Sequence, residues 1–395
     1  MKITSIEAFP VRLPRTGGQA VGTAGSPTPL EPGSGPYRWS KTVATLYSLH
    51  FETALIKVSG DTGLTGWGEA QAPLAPEVAC EIVRLLLRPV LEGAEFDGSV
   101  EAIRECWDRM YQTMRVRGQT GGFMLDAIGG VDIALWDLAG QMQRKPVGEL
   151  IGGVHLPVSV PAYFSGVNGG TIPECIENAK RAAGDGFHVF KLFHDREAGD
   201  LFARLDALAA NLDAGTRFAV DALWRLDPAS APAFGRELDR RNALWLEAPL
   251  PPEDAAAHAA LARVIRTPIA VGESYRTRFE IAPFLEQGAA AIVQPDLGRC
   301  GITEFLRIAE MARSRGARVV PHVSIALGPQ IAAAIHAAAA CGCELLEFNP
   351  NVLQVANAYL DEPLVAAAAA YRVPEGPGLG IRVNQRKLAE AHLTI

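Results

Sequence analysis

The chain has 395 residues, 48% of them apolar, which is enough for one large domain with an appendage or for two ordinary domains. Its formal net charge of -7 argues against binding a nucleic-acid backbone, and no run of about 18 apolar residues predicts a membrane span. Six cysteines without CxxC pairs disfavour a zinc site or a disulfide framework. Together with the lack of a signal-peptide pattern, they predict a reducing, cytoplasmic setting.

Two strand-like segments begin the chain. Residues 3–13 and 53–70 alternate apolar and polar side chains, and a Gly-Asp-Thr-Gly sequence at 60–63 predicts a turn inside the second segment. An antiparallel sheet is therefore expected. Residues 14–40 are dense in Gly, Pro, Ser and Thr and predict a long loop that is either disordered or functional. The Tyr-Arg-Trp sequence at 37–39 is placed to cover a ligand.

The pattern is helical from residue 76 to residue 143, where apolar residues recur at steps of three and four, and Pro146 ends it. Short β-branched runs then alternate with Ala- and Leu-rich segments of about 12 residues, a pattern typical of βα units and a parallel sheet. Eight strands are predicted, at 158–164, 188–193, 217–221, 243–247, 268–273, 290–296, 317–322 and 344–348.

Seven of these strands end in a polar residue, namely Lys191, Asp221, Glu247, Glu273, Asp296, His322 and Glu347. Eight parallel strands with intervening helices close into a barrel, and the strand ends then converge on one face. An open doubly wound sheet is the alternative. Such a sheet usually has a GxGxxG turn after its first strand, and residues 163–170 lack that spacing.

Three successive strands end in Asp221, Glu247 and Glu273. Crowded carboxylates need a cation or a proton to neutralise them, so we expect a hard divalent ion, Mg²⁺ rather than zinc, since no His or Cys belongs to this trio. Salt bridges to Lys or Arg are the alternative. Lys191 and His322 are candidate proton-transfer groups, and Asp296 is placed to bond one imidazole nitrogen and fix its tautomer.

Several motifs carry a resemblance to a known family. They are GWGEA at 66–70, AIGGVDIALWDLAG at 127–140, LWLEAP at 244–249, VGES at 271–274 and GPGLGI at 376–381, with the Asp296 and His322 pair. The chain resembles the enolase superfamily, mandelate racemase subgroup, over nearly its whole length. The resemblance implies a modified (β/α)7β TIM barrel at 126–360, with an N-terminal α+β capping domain at 1–125 completed by a C-terminal segment at 361–395.

The resemblance also implies chemistry. Proteins of this family bind Mg²⁺ through the carboxylates that match Asp221, Glu247 and Glu273, and they abstract a proton from the carbon α to a carboxylate, with a Lys or His base. Glu347 matches an acid that hydrogen-bonds the substrate carboxylate when it is protonated. The expected partner is a small-molecule carboxylate, and we expect a homo-oligomer with no nucleic-acid or membrane partner.

The predicted loop at 15–40 resembles the mobile segment with which the family covers substrates. Its Arg15, Arg38 and Trp39 are therefore candidate substrate contacts, through a distal carboxylate or hydroxyl group.

One departure from the family pattern predicts the reaction. The subgroup usually has Lys-x-Lys where this chain has Lys191-Leu192-Phe193, so Phe193 takes the place of the second lysine, and a phenyl ring accepts no proton. His322 is then the one strong base, which favours β-elimination by an acid-sugar dehydratase acting on an aldonate or aldarate to give a 2-keto-3-deoxy acid. An isomerase, either a lactone cycloisomerase or an epimerase that uses Lys191 or His194, is the alternative.

A second departure concerns the neighbours of the metal ligands. Leu223 and Ala248 stand where the family commonly has polar residues. We expect this to change specificity and to leave the three carboxylate ligands in place.

Overall fold

The computed structural model describes residues 1–15, 30–153, 156–167, 169–194 and 198–391. Its first strands are β1 (Ile3–Pro14), β2 (Tyr37–Ser40), β3 (Thr45–Ser48), β4 (His50–Gly60) and β5 (Thr65–Ala70). Strands β1, β4 and β5 form the predicted antiparallel sheet, and β2 pairs with β3 in a separate hairpin. Residues 16–29 of the predicted loop lie outside the described residues.

Helices follow this sheet, as the periodicity predicts. They are α1 (Pro76–Ile82), a π-helical turn (Val83–Leu87), α2 (Arg88–Leu91), α3 (Val100–Arg115), α4 (Gly122–Gln143) and α5 (Val147–Gly152). Helix α4 is buried throughout residues 124–140 and packs on β5. It ends at Gln143, three residues before Pro146, and its C-cap residue Arg144 adopts a left-handed conformation with φ 53°.

Two glycines of the GWGEA motif allow β5 and α4 to pack unusually closely. A Cβ atom on Gly68 would lie 2.0 Å from the carbonyl oxygen of Gly130, and one on Gly66 would lie 2.1 Å from that of Ala134. Because any side chain would push the helix off the sheet, this motif and Gly130 in α4 are needed together for packing, whereas Gly129 faces the backbone of Arg299 and Gly301.

Two acids of α4 are structural. Asp132 accepts hydrogen bonds from the backbone N–H and hydroxyl of Thr303, at 2.8 and 2.5 Å. Asp137 accepts from the backbone N–H groups of Trp67 and Leu379, at 2.7 and 2.8 Å. These carboxylates therefore join α4 to the barrel, to the capping sheet and to the C-terminal segment.

The barrel has eight parallel strands, all within one residue or a few residues of the predicted positions: β6 (Ser159–Ser165), β7 (Val189–Phe193), β8 (Arg217–Asp221), β9 (Leu246–Glu247), β10 (Ile269–Val271), β11 (Ile292–Val293), β12 (Arg318–Val319) and β13 (Leu346–Phe348). The intervening helices are α6 (Ile172–Gly184), α7 (Ala198–Asn211), α8 (Ala231–Arg240), α9 (Ala255–Ala262), α10 (Arg278–Glu286), α11 (Leu297–Ser314) and α12 (Gly328–Cys341).

The strand order shows closure. Strands β12 to β6 pair in sequence, β13 pairs with β6, and the N–H of Glu347 donates to the carbonyl of Pro321 at 3.3 Å, which joins the last two strands. A closed barrel, rather than an open doubly wound sheet, is therefore confirmed. Its interior is filled by Tyr163, Val189, Ala219, Trp245, Ala270, Ile292 and Val320.

The C-terminal segment reaches the capping domain by way of the barrel. After α13 (Pro350–Ala358), β14 (Ala366–Ala367) and β15 (Ala370–Arg372) form a hairpin whose second strand pairs antiparallel with β6. The chain then passes α5, where the N–H of Val147 donates to Gly378, and α14 (Gln385–Ala391) packs on β1. The predicted domain limits at 125 and 360 stay predictions, because α4 crosses the first of them.

Within the described ranges, no helix combines the length and the apolar character that crossing a membrane requires.

Candidate active site

Strand register places the candidate site at the barrel mouth. Phe193 pairs with Asp221, Asp221 pairs with Glu247, and Asp296 pairs with His322. Parallel strands in register end at one edge, so these residues lie at the same level of the barrel. Side chains two residues earlier on several of these strands fill the interior. Since alternate residues on a strand face the same way, the polar end residues point into the mouth directly above that apolar layer.

Lys191 lies among the carboxylates and is completely buried. Its Nζ atom is 2.6 Å from Glu247 Oε1, 2.9 Å from Glu347 Oε1 and 4.0 Å from Asp221 Oδ2. Burial alone lowers the pKa of Lys191, but Glu247 and Glu347 outweigh it and raise this pKa well above its ordinary value. Lys191 is therefore a fixed ammonium that balances acidic charge and holds its proton.

Aromatic rings cover other sides of the Lys191 ammonium. The ring centroids of Tyr163 and Phe193 lie 5.6 and 5.5 Å from Nζ. Phe193 thus occupies the position that the sequence assigns to the missing second lysine, next to Lys191. This side of the mouth carries no free proton acceptor on β7.

Three ligand atoms meet at the mouth. One atom each from Glu247, Glu273 and His322 lies within 4.8 Å of the others. Asp221, the remaining predicted ligand, is outside this compact group, and its Oδ1 accepts a hydrogen bond from the N–H of Leu223 at 2.8 Å. The structure therefore brings two of the three predicted ligands together with the imidazole, and Asp221 lies beside them at Lys191.

The pKa of Asp221 indicates a site that suits a cation. Burial and the neighbouring Glu247 raise the pKa of Asp221 well above its usual range. A carboxylate held neutral by like charges is the state expected when no cation relieves their repulsion. Two or three oxygen donors of this kind are the ligands that a hard divalent ion such as Mg²⁺ prefers, so the residues fit the predicted ion.

His322 is held between acids. Its Nδ1 lies 2.8 Å from Asp296 Oδ2, as the sequence predicts, and its Nε2 lies 2.9 Å from Glu273 Oε2. Burial lowers the pKa of His322, but Glu347, Asp296 and Glu273 together raise it well above its ordinary value. For Glu273 the opposite holds: burial raises its pKa, and His322 lowers it to about 2. The imidazole and Glu273 therefore form an ion pair at the mouth.

Glu347 is a buried acceptor in this arrangement. Its Oε2 accepts from the N–H of Val323 at 3.1 Å and lies 3.7 Å from His322 Nε2. Burial raises the pKa of Glu347, but Lys191 and His322 lower it below its ordinary value. The hydrogen bond to substrate that requires a protonated Glu347 is therefore not available in this state.

Buried donors, which the sequence reasoning missed, hold the acids in place. Glu247 Oε2 accepts from Trp245 Nε1 at 3.0 Å and from Gln294 Nε2 at 2.8 Å. Asp296 Oδ1 accepts from Gln330 Nε2 at 2.8 Å. The spacing of two residues between Trp245 and Glu247, and between Gln294 and Asp296, was the available signal, because such residues share a strand face.

The sequence reasoning also missed two aromatic residues at the mouth. Trp224 Nε1 donates to Glu273 Oε1 at 3.0 Å. Tyr47, on β3, is half-buried, and burial together with the charges of Asp221 and Glu273 raises the pKa of its phenol above the ordinary value. The capping hairpin thus places a hydroxyl group near the carboxylates, a placement that no local pattern in β3 predicts.

Arg38 and Arg15 have contacts in the capping region. Arg38 donates to the carbonyl oxygens of Gly35 and Tyr37 at 2.6 and 2.9 Å, and Trp39 is 42% exposed. Burial lowers the pKa of Arg15, which lies near the capping-domain Glu52. Their roles in substrate binding stay predictions.

His194, the predicted substitute base, follows β7 but packs away from Lys191. Its ring lies 4.9 Å from that of Phe234 in α8, and its backbone N–H donates to the carbonyl of Asp221. Burial and the nearby Arg225 lower its pKa to about 4. Its contact with a helix on the outside of the barrel gives no support to a role in proton transfer.

Known proteins identify the class to which this arrangement belongs. The N-terminal domain of the mandelate racemase and muconate lactonizing enzyme family matches residues 40–152, and the enolase C-terminal domain-like family matches residues 174–387. These ranges include the capping helices, seven of the eight barrel strands and every carboxylate described above. The chain belongs to the enolase superfamily, in its mandelate racemase subgroup.

Particular relatives divide between two activities. The D-galactarolactone cycloisomerase of Agrobacterium fabrum is 31% identical over 85% of this chain and 90% of its own. The D-galactonate dehydratase of Ralstonia pickettii is 30% identical over 88% of this chain and 93% of its own. A solved structure of an enolase superfamily member from Agrobacterium tumefaciens has a TM-score of 0.89 and 31% identity, covering 98% of both chains. An acid-sugar enzyme is thereby supported, with the reaction class undecided.

Proposed function

We propose that this protein is a Mg²⁺-dependent dehydratase of an aldonate or aldarate, and that it gives a 2-keto-3-deoxy acid. The observation that carries the proposal is the difference between the two sides of the mouth. His322 with Asp296 forms a base and its partner on one side. On the other side, Lys191 is buried among acids and Phe193 has no titratable group.

This asymmetry favours reactions that need one base. A racemase or epimerase must remove a proton from one face and return one to the other, and so needs a proton acceptor on one face and a proton donor on the opposite face. Lys191 is poorly suited to that role because its ammonium is completely buried between Glu247 and Glu347, and the neighbouring Phe193 has no group that transfers a proton. β-Elimination needs proton removal on one face and assistance to the leaving group.

The proposed steps use His322 throughout. In the proposed reaction Glu273 is a ligand of the cation and no longer the partner of His322 Nε2, so this nitrogen of the neutral imidazole is free to take the α-proton, and the C–H electron pair forms the enediolate. Asp296 on Nδ1 fixes the tautomer and stabilises the imidazolium. The β-carbon–oxygen bond then breaks, and the leaving hydroxide takes the proton from His322 and departs as water. The resulting enol takes up a proton at the β-carbon to give the 2-keto acid.

Asp221, Glu247 and Glu273 are the proposed ligands of Mg²⁺. When bound, the ion would stabilise negative charge that develops on the substrate carboxylate oxygens. The chain itself keeps the ligands oriented: Trp245 and Gln294 fix Glu247, and Lys191 neutralises part of the acidic charge.

A lactone cycloisomerase is the second candidate, and the relative from Agrobacterium fabrum favours it. An elimination whose leaving group stays attached to the product would use the same base and the same carboxylates. The chemistry of the mouth thus fits both reactions, and loss of water from the substrate distinguishes them.

The test is product analysis. Purified protein with Mg²⁺ is incubated with aldonic acids, aldaric acids and their lactones. The 2-keto products are trapped with semicarbazide, and their masses are measured by mass spectrometry. A product that has lost one water supports the dehydratase, and a product of unchanged mass supports the cycloisomerase. Substrate recovered from D₂O with deuterium at the α-carbon and inverted configuration would instead establish an epimerase and contradict the one-base proposal.

Homo-oligomerisation, a cytoplasmic setting and the absence of nucleic-acid and membrane partners stay predictions. Light scattering of the purified protein tests the first of them.

A further inference from the structure

The side chain of Trp224 contacts a proposed metal ligand and has no part in the proposed reaction steps. Its indole N–H donates to Glu273 Oε1 at 3.0 Å, while His322 Nε2 lies 2.9 Å from the other oxygen, Oε2. Glu273 is the most exposed of the three proposed ligands, with 23% of its side chain accessible. Unlike Glu247, which is fixed by buried donors, Glu273 therefore depends on these two neighbours for its orientation.

The backbone at Trp224 adopts an unusual conformation that directs the indole to the mouth. Leu223 and Trp224 both have positive φ values, 54° and 58°, a conformation that residues with a side chain rarely adopt. The N–H of Leu223 donates to Asp221 Oδ1, and that of Trp224 donates to the carbonyl of Ala248 at 2.7 Å. Strained residues held by specific hydrogen bonds are often found at functional sites.

Neighbouring rings fix the plane of the indole. Tyr275 lies 6.4 Å away at 84° and His258 lies 6.3 Å away at 67°, both as edge contacts. Tyr275 is itself fixed by a hydrogen bond from its hydroxyl to the carbonyl of Pro252 at 2.6 Å. The donor is therefore preorganised, and its direction toward Glu273 does not depend on a flexible side chain.

Two other side chains near the carboxylates cannot make this contact. Leu223 and Ala248 are buried yet lie outside both apolar core clusters, and neither side chain can donate a hydrogen bond. The indole N–H of Trp224 is therefore the side-chain donor that residues 222–224 supply to the mouth.

We propose that Trp224 is a positioning residue that orients Glu273 for binding a divalent cation. The inference rests on the proposed function, because it takes Glu273 as a metal ligand. Trp224 does not contact the reacting atoms in this account. It acts on the cation site through the carboxylate, and residues in such a position commonly change metal affinity by 10- to 100-fold when they are substituted.

The test measures metal binding without substrate. Isothermal titration of the EDTA-treated protein with Mg²⁺ compares wild type with Trp224→Phe, which keeps an aromatic ring and removes the N–H. The dissociation constant is expected to rise by about 10-fold or more. Trp107→Phe is the matched control, because Trp107 is a buried indole whose N–H has no hydrogen-bond partner among the described residues. Its dissociation constant should equal that of wild type.

Each outcome decides a different statement. Wild type that binds no Mg²⁺ would refute the proposed function together with the positioning role. Wild type that binds, with Trp224→Phe within about twofold of it, would refute the positioning role alone. Thermal unfolding in EDTA shows whether each variant is folded, and Trp224→Leu, which also lacks the donor, replaces the phenylalanine variant if that one does not fold.

Discussion

Two buried histidines that lie 14 residues apart show how differently one side chain behaves in two regions of this molecule. His322, at the barrel mouth, contacts the acids Asp296 and Glu273, and its pKa is raised. His336, in α12, contacts backbone groups, and burial lowers its pKa to about 4. Both are more than nine-tenths buried, so partners rather than burial decide the charge.

The neutral state of His336 follows from its contacts. Its Nδ1 accepts from the N–H of Gly148 at 3.3 Å, and its Nε2 faces the carbonyl of Leu379 at 3.2 Å. Only the neutral tautomer with the proton on Nε2 satisfies both. His336 therefore joins α12 to α5 and the C-terminal segment. His322, in contrast, lies among charged groups at the barrel mouth that are suited to binding a cation and a substrate.

The largest expected effect is at the mouth. His322→Asn should lower kcat/KM by about 10³-fold, because a general base contributes roughly 10²- to 10⁴-fold to such reactions. The measurement is the initial rate on whichever acid the product screen identifies. His188→Asn, which changes an exposed side chain before β7, should leave the rate unchanged. Full activity of the His322 variant would remove the base from the proposal.

Lys191→Met tests whether the ammonium balances charge. Removing one partner of a buried ion pair leaves acids uncompensated, so the free energy of unfolding should fall by about 3–5 kcal/mol in EDTA. Added Mg²⁺ should recover more of that free energy in the variant than in wild type, since the cation substitutes for the lost charge. Urea unfolding with and without Mg²⁺ measures both, and Lys180→Met, on the exposed face of α6, should change stability by less than about 0.5 kcal/mol.

His336→Gln tests the neutral histidine. The folded pKa of about 4 lies below the unfolded value of 6.5, so the unfolded chain binds the proton first as the pH falls. The contribution of His336 is complete above pH 6.5 and is lost as the pH falls toward 4, by about 3 kcal/mol at most. Urea unfolding at several pH values in this window should show a smaller decrease in the variant. An equal decrease in both proteins would assign the pH dependence to other groups.

The smallest expected effect is at Gln330, which donates to Asp296 at 2.8 Å. Gln330→Leu should lower kcat/KM by about 10-fold. A hydrogen bond to a charged group is worth about 1.5–3 kcal/mol, and only part of that energy contributes to lowering the activation free energy. Gln287→Leu, at an exposed position after α10, is the control. The N–H of Gly298 donates to the same oxygen of Asp296 at 2.9 Å, so a variant as active as wild type would show that Gly298 and His322 suffice to orient Asp296.

The motifs determined most of the fold in advance. The alternation of residues 3–13 and 53–70, the three- and four-residue periodicity up to residue 143 and the regular spacing of strand-ending polar residues predicted the capping sheet, the helices that follow it and the closed barrel. They could do so because strands and helices have different periods of apolar residues, and because a barrel strand and its helix form a local repeat.

The candidate site was predicted in part. Chain periodicity indicated that Glu247, Glu273, Asp296 and His322 converge, and the structure brings them together. It could not indicate that Lys191 is paired with two of the acids, or that Asp221 lies outside the compact group, because these depend on side-chain directions across three different strands.

The sequence by itself determined which residues stand at the ends of the barrel strands, because a polar residue recurs at the same position of each strand–helix repeat. Only the tertiary structure decided which of them hold charge, which titrate and which are neutralised, because these properties arise from distances of a few ångströms between residues far apart in the chain. Trp224 and Tyr47 reach the mouth through a backbone turn and a capping hairpin, and neither is visible in a local pattern.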